Sequence, residues 1–174
     1  MPAVIRPEPI VIRAATPDDF AAIAELTVEA YEADGQLGPE TTYRSTLANV
    51  AGRASAGQIL VAVEGCDVLG AVLLVWPGSV YSELAGAGEA EFRMLAVAPK
   101  AQRRGIGERL VRACLDHARA GGAERVVISA RDFVEAAQRL YARMGFIRLP
   151  ERDWTPVPGV HLVALQFDLT AALD

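Results

Sequence analysis

The sequence predicts a mixed α/β (α+β) domain, with a central sheet carrying helices on both faces. Two observations predict it. In the middle of the chain an apolar run at 89–97, a helical pattern at 105–120 and a second apolar run at 125–129 form a strand–helix–strand unit. Strand-like runs joined by short turns flank that unit on both sides. A length of 174 residues, 52% of them hydrophobic, suits one packed domain and argues against disorder.

Residues 10–14 read as a first strand, preceded by an extended tail over 1–9. Thr16-Pro17-Asp18-Asp19 then starts a helix: threonine caps, proline fits the first turn, and two carboxylates suit the positive end. Phe20, Ile23, Ala24 and Leu26 continue it at helical spacing, and it weakens near Asp34-Gly35. A second helix is expected over 42–54, with Tyr43, Leu47 and Val50 on one face. The runs 58–63 and 68–76 are joined by Glu64-Gly65-Cys66-Asp67, which reads as a β-hairpin.

A loop rich in glycine, serine and alanine follows over 77–88, then the strand at 89–97, closed by Pro99. The helix at 105–120 buries a stripe of Ile106, Leu110, Cys114, Leu115 and Ala118, and Gly121-Gly122 ends it. A buried-type strand at 125–129 precedes a helix at 134–144, with Ala137, Leu140, Tyr141 and Met144 on one face and Gly145 as its stop. Runs at 146–149 and 160–169 are the last strands.

The formal net charge of -5 argues against a nucleic-acid binder, which would show a basic face, and is compatible with a cationic acceptor such as an amine. Cys66 reads as a turn residue and Cys114 as helix core. With no CxxC and no metal-ligand spacing, no metal is expected, and a reducing, cytoplasmic setting is the default. The N-terminal residues do not read as a signal peptide, and no run approaches the roughly 20 apolar residues of a membrane span. HExxH, GxSxG and clustered Cys/His sets are absent, which disfavours metal and serine hydrolysis. His117 and His161 read as a helix-surface and a strand residue.

The segment from Glu91 to Glu108 carries the chemistry. An apolar strand ends, and a short polar loop with glycines opens straight into a helix. The first helical turn has unpaired N–H groups and a positive dipole end, which together bind phosphate oxygens. Gly105 and Gly107 remove side chains where a phosphate would approach, and Arg103 and Arg104 add positive charge at the rim. A dinucleotide fingerprint would need glycine again at 110, where leucine stands, and no GxxxxGK[ST] is present.

Gln102-x-x-Gly105-x-Gly107, preceded by Met94-Leu95-Ala96-Val97-Ala98-Pro99, resembles the coenzyme A signature of the GNAT N-acetyltransferase superfamily. A second block, Ala137-x-x-x-Tyr141-x-x-x-Gly145-Phe146, is similar to that family's later segment, and the order of elements matches its fold from the first strand onward. The resemblance implies a GNAT-like, mostly antiparallel central sheet of six to seven strands. It implies one N-acetyltransferase domain over 1–174, passing acetyl from acetyl-CoA to an amine of a small molecule or peptide by direct attack in a ternary complex. It further implies that Leu95, Ala96 and Val97 hold the pantetheine arm. Gln102, Ile106 and the amides of Arg103 through Glu108 (Arg103, Arg104, Gly105, Gly107 and Glu108 among them) would hold the pyrophosphate. Val134 stands where many members have asparagine, so the arm would pack against Val134 and Ala137 instead.

Tyr141 matches the family tyrosine that protonates the departing sulfur; read alone it is a core aromatic on a helix face. Glu91, eleven positions before Gln102, matches the general-base spacing of some members. Glu89, on the same side of a regular strand, or a water are the alternatives. For the acceptor, Glu29, Tyr31, Glu32 and Asp34 near the end of the first helix, and Tyr81 and Trp154 in loops, are the candidates. The expected partners are the amine acceptor and a second copy pairing at a sheet edge, with no nucleic acid and no membrane. Other readings stay open: an acyl-CoA-binding or sensing module with little transferase activity, a hydroxyl acceptor, or a longer acyl donor.

Overall fold

The computed structural model describes residues 8–38 and 41–171, so the expected tail over 1–9 lies, but for its last two residues, outside the described residues. The elements are β1 (Val11–Ala14), α1 (Phe20–Ala33), α2 (Tyr43–Ala48), α3 (Val50–Ala56), β2 (Gln58–Glu64), β3 (Asp67–Val75), β4 (Glu89–Val97), α4 (Ile106–Ala120), β5 (Arg125–Arg131), α5 (Glu135–Met144), β6 (Ile147–Arg148) and β7 (Leu162–Asp168). Among the described residues the strands form one seven-stranded sheet in the order β1-β2-β3-β4-β5-β7-β6. Every neighbouring pair is antiparallel except β4–β5. The predicted mixed, mostly antiparallel sheet is therefore the observed one.

Alternation along β2 and β3 builds the two layers. Ile59, Val61 and Val63 pack with Ile23 of α1 and Val50 of α3, while Leu60 and Ala62 point to the other face and join Ile106, Leu110 and Cys114 of α4. The stripe read from the sequence is buried in full on α4, together with Val111. The hairpin between β2 and β3 turns at Gly65-Cys66, because Glu64 already pairs with Asp67.

One local expectation gains its mechanism and another needs correction. The helix start at Thr16 is held by Asp19, whose carboxylate accepts the Thr16 N–H at 2.8 Å and clasps the Arg13 guanidinium at 2.7 and 3.0 Å. That double grip draws the Asp19 carboxyl down to about 2. The single helix expected over 42–54 is two, broken at Asn49 (φ -80°, ψ 69°). The Asn49 side chain accepts the Gly52 N–H at 3.0 Å and so caps α3. Periodicity continues across the break because Leu47 and Val50 are both buried.

What positions the site is the irregularity of β4. Its register against β3 slips between Ala71 and Leu73, where Met94 takes φ 55° and two β4 residues, Met94 and Leu95, stand opposite one β3 residue. Such a bulge bends the strand that carries it. On the other side, β4 pairs with β5 only from Glu89 to Glu91, against Arg125 to Val127. Beyond that point the two parallel strands share no pairing, although both continue, and a cleft opens between them.

Candidate active site

The cleft has a volume of about 380 Å³ and is lined on its strand walls by Phe92 to Leu95 of β4 and Ser129 to Arg131 of β5. Tyr141 and Ala137 of α5, with Val134 just before it, form a third wall. Residues from the connectors before α2 and after β6, Thr41, Thr42, Pro156, Val157 and Val160 among them, close the mouth.

At the C-terminal end of β4 a short 3-10 turn (Pro99–Ala101) leads to the loop Gln102 to Gly105 and into α4. Gly105 adopts φ 74°, a left-handed conformation that L side chains reach only under strain. Among the described residues nothing lies within 4 Å of where a Cβ would sit on Gly105, so the loop faces open space there. Among the described residues the six amides of Arg103 through Glu108 have no protein acceptor. Six free donors at the positive end of a 15-residue helix make an anion cradle. Gly107 differs from expectation: a Cβ there would meet Leu140 at 3.4 Å and Val97 at 3.8 Å, so this glycine brings α4 close to α5 and β4. The Arg104 side chain is drawn sideways into a pair with Glu64 at 2.7 Å, leaving Arg103 as the rim cation without a carboxylate among the described residues. Glu108 pairs with Arg112 at 2.6 Å, and Gln102 is exposed.

Tyr141 is buried in an aromatic cluster, its ring 5.9 Å from that of Phe92 and 5.5 Å from that of Phe146, and it reaches the cleft lining. Its hydroxyl makes no hydrogen bond to protein among the described residues. Burial pushes its pKa well up, so the hydroxyl stays protonated as a donor.

Glu91 is elsewhere. It is fully buried and does not line the cleft. One carboxylate oxygen accepts from the Ser82 hydroxyl at 3.1 Å and from the amides of Glu83, Leu84 and Ala85 at 2.9, 2.9 and 3.2 Å. The base expected at Glu91 thus lies outside the cleft lining: with four donors on Oε2 the carboxylate anchors the loop that precedes β4, while Oε1 is buried without a partner among the described residues. Glu89 has a similar task, bound to the Gly86 amide at 2.9 Å and to Arg152 at 3.1 Å. Burial works to raise the Glu89 carboxyl, but Arg152 and the Gly86 amide outweigh it and hold the group below the usual range. Replacing Glu91 with alanine leaves four part-buried donors without their acceptor. We expect a loss of about 2 kcal/mol and a melting temperature lower by about 4–8 °C, readable in a thermal unfolding scan.

The anchored loop delivers Glu83 to the cleft. Its carboxylate pairs at 2.8 Å with Arg93, which also donates to the Tyr81 carbonyl at 2.9 Å and the Tyr43 hydroxyl at 3.3 Å. Burial raises the Glu83 carboxyl above the usual glutamate range, with Arg93 opposing and Glu91 adding to the shift. Asp34, also on the lining, is likewise raised by burial.

Of the acceptor candidates, Tyr31 and Asp34 line the cleft; Glu29 is exposed away from it, and Glu32 pairs with Arg44. Tyr81 packs against the core on the α1–α3 side, and Trp154 ties the late connector to Ser129 through its indole N–H at 3.3 Å. Sequence reasoning missed Glu83, Arg93 and Arg131. An arginine inside the apolar run Phe92-Arg93-Met94-Leu95 was the available signal for the second of these.

A cleft between two parting parallel strands, beside six free amides at a helix start, is the geometry from which the class follows. Residues 20–146 match the profile of the acetyltransferase (GNAT) family, and the chain belongs to that family. It is 39% identical over 129 residues to a mycothiol acetyltransferase of Mycobacteroides abscessus, a match covering 73% of this chain but only 38% of that longer protein. Among solved structures it is similar to a GNAT family acetyltransferase from Brucella melitensis in complex with acetyl-CoA, at 26% identity and TM-score 0.60 over 80% of this chain and 84% of that one. It shares its fold with the yncA protein of Salmonella typhimurium, solved with its cofactor acetyl-CoA, at 22% identity and TM-score 0.66 over 95% and 96% of the two chains. Among the described residues no helix is long and apolar enough to cross a membrane.

Proposed function

We propose that this chain transfers an acetyl group from acetyl-CoA to the amine of a small molecule or peptide, by direct attack within a ternary complex. The observation that carries the reading is the run of free amides from Arg103 to Glu108, placed beside the gap between β4 and β5. In this reading the pyrophosphate lies on those amides and the pantetheine arm follows Leu95 to Val97. Val134 and Ala137 pack against the arm, and the thioester reaches Tyr141. The acetyl-CoA complexes of similar proteins support it.

The amine nitrogen attacks the thioester carbonyl, the carbon–sulfur bond breaks, the sulfur leaves with the Tyr141 proton, and the proton that the nitrogen sheds on becoming an amide restores the Tyr141 hydroxyl. The ammonium form of the acceptor first gives its proton to Glu83, the cleft carboxylate whose affinity for protons burial has raised. Because a base works deprotonated, transfer should climb with pH through a value above that of an ordinary glutamate. Following free thiol with acetyl-CoA and a panel of amines tests the activity. Glu83→Gln should lower kcat/KM about 10-fold or more and flatten the acid side of the profile. An unchanged profile would remove Glu83 from the role. The anchored state of Glu91 and the apolar Val134 favour a second reading, a coenzyme-binding module without transfer. Coenzyme uptake with no thiol released on any amine would decide for it.

A further inference from the structure

Two arginines line the cleft, Arg93 and Arg131. Arg93 is neutralised by Glu83 at 2.8 Å. Arg131 has no carboxylate partner among the described residues. Its Nη1 donates to the Gln36 carbonyl at 3.5 Å, the long limit of a hydrogen bond, and its Nε is buried with no partner among the described residues. A buried N–H of a charged group left unpaired is costly, and a guanidinium does not escape by losing its proton.

The side chain is nonetheless held in place. Its backbone is registered against Leu162 of β7, and its carbonyl accepts from the Gln138 side chain at 3.1 Å. The guanidinium carbon sits 4.8 Å over the Phe133 ring. The hydrogen bond to Gln36, which follows α1, shows that the guanidinium turns toward the α1–α2 side, the side that also carries Tyr31, Asp34 and Tyr43. Beside the matched Glu83–Arg93 pair, the cleft thus holds a carboxylate at Asp34, suited to an ammonium, together with a fixed guanidinium that no carboxylate matches among the described residues.

We propose that the acceptor is an amine that also bears a carboxylate, an amino acid or a close analogue, and that Arg131 binds that carboxylate. The inference rests on the acetyltransferase reading above. One guanidinium matches the single charge of a carboxylate, and its two-pronged donor geometry fits two carboxylate oxygens. A dianionic phosphoryl group would ask for a second cation, and the other cleft arginine is already matched by Glu83.

The test is made on the full chain saturated with coenzyme A, by calorimetry, using acetylated products so that turnover is not required. N-acetyl-L-alanine and N-acetyl-L-phenylalanine are compared with their methylamides and with 1-acetamidoethylphosphonate. The free carboxylates should bind roughly 10- to 100-fold tighter than the methylamides. Arg131→Gln should abolish that preference, Arg131→Lys should keep part of it, and both variants should take up coenzyme A as before. Methylamides binding as well as the acids would overturn the proposal. So would a phosphonate that outbinds them, or a loss of coenzyme affinity in Arg131→Gln, which would place the guanidinium on the donor. The wild-type comparison stands even if a variant fails to fold. Absence of coenzyme uptake by the wild-type protein overturns the acetyltransferase reading and this inference with it, whereas uptake without discrimination overturns this inference alone.

Discussion

Replacing Tyr141 with phenylalanine should lower acetyl-transfer turnover by about 10²-fold or more while leaving coenzyme binding and melting temperature nearly unchanged. The ring does the packing: it sits against Phe92 and Phe146, and phenylalanine fills the same space. The hydroxyl makes no hydrogen bond to protein among the described residues, so its removal orphans no partner. What is lost is one proton donor on the cleft lining. Burial makes that hydroxyl a weak acid in water's terms, yet the same dry surroundings penalise the departing thiolate. Donor and acceptor shift together, and the transfer stays feasible. Single-turnover release of free thiol is the measurement, and an unchanged rate would leave Tyr141 as a core aromatic only.

A second large effect is expected at Gly105. Glutamate there should remove coenzyme A binding altogether, as read by calorimetry at millimolar ligand. Two causes act together. The position has φ 74°, which costs a side-chain-bearing residue about 1–2 kcal/mol. The new carboxylate would also stand in the open space before six free amides and compete with the diphosphate for them. Gly105→Ala separates the two causes, since it carries the strain without the charge, and it should bind coenzyme A more weakly but measurably. Normal binding by Gly105→Glu would show that the phosphates dock elsewhere. Gly107→Ala should matter far less, because a Cβ there only touches Leu140 and Val97.

Much of this molecule is legible in its amino-acid order. The α4 stripe, the hairpin at 64–67 and the strand–helix–strand unit follow from short-range periodicity and turn chemistry, which are properties of neighbouring residues. The cradle is legible for the same reason: a strand, a glycine-containing loop and a helix start are consecutive in the chain. The break at Asn49 is not, because Leu47 and Val50 keep the apolar pattern running across it while the amide side chain turns to cap. Nor is the bulge at Met94, since an apolar strand reads alike with one residue more or less.

By itself, the sequence determined the family, the sheet with its two helical layers and the glycine-containing loop that opens α4. Only the tertiary structure decided which carboxylate is available. Glu91 and Glu83 are both acidic residues near the start of β4, and nothing in their local patterns separates them. The fold turns three backbone amides and a hydroxyl onto Glu91 and leaves Glu83 facing the cleft. It matches Arg93 with a carboxylate and leaves Arg131 without one among the described residues. Period and spacing encode where a side chain points within its own element. The charge state and availability of a group depend on donors and acceptors brought to it from elsewhere in the chain, and only folding brings them.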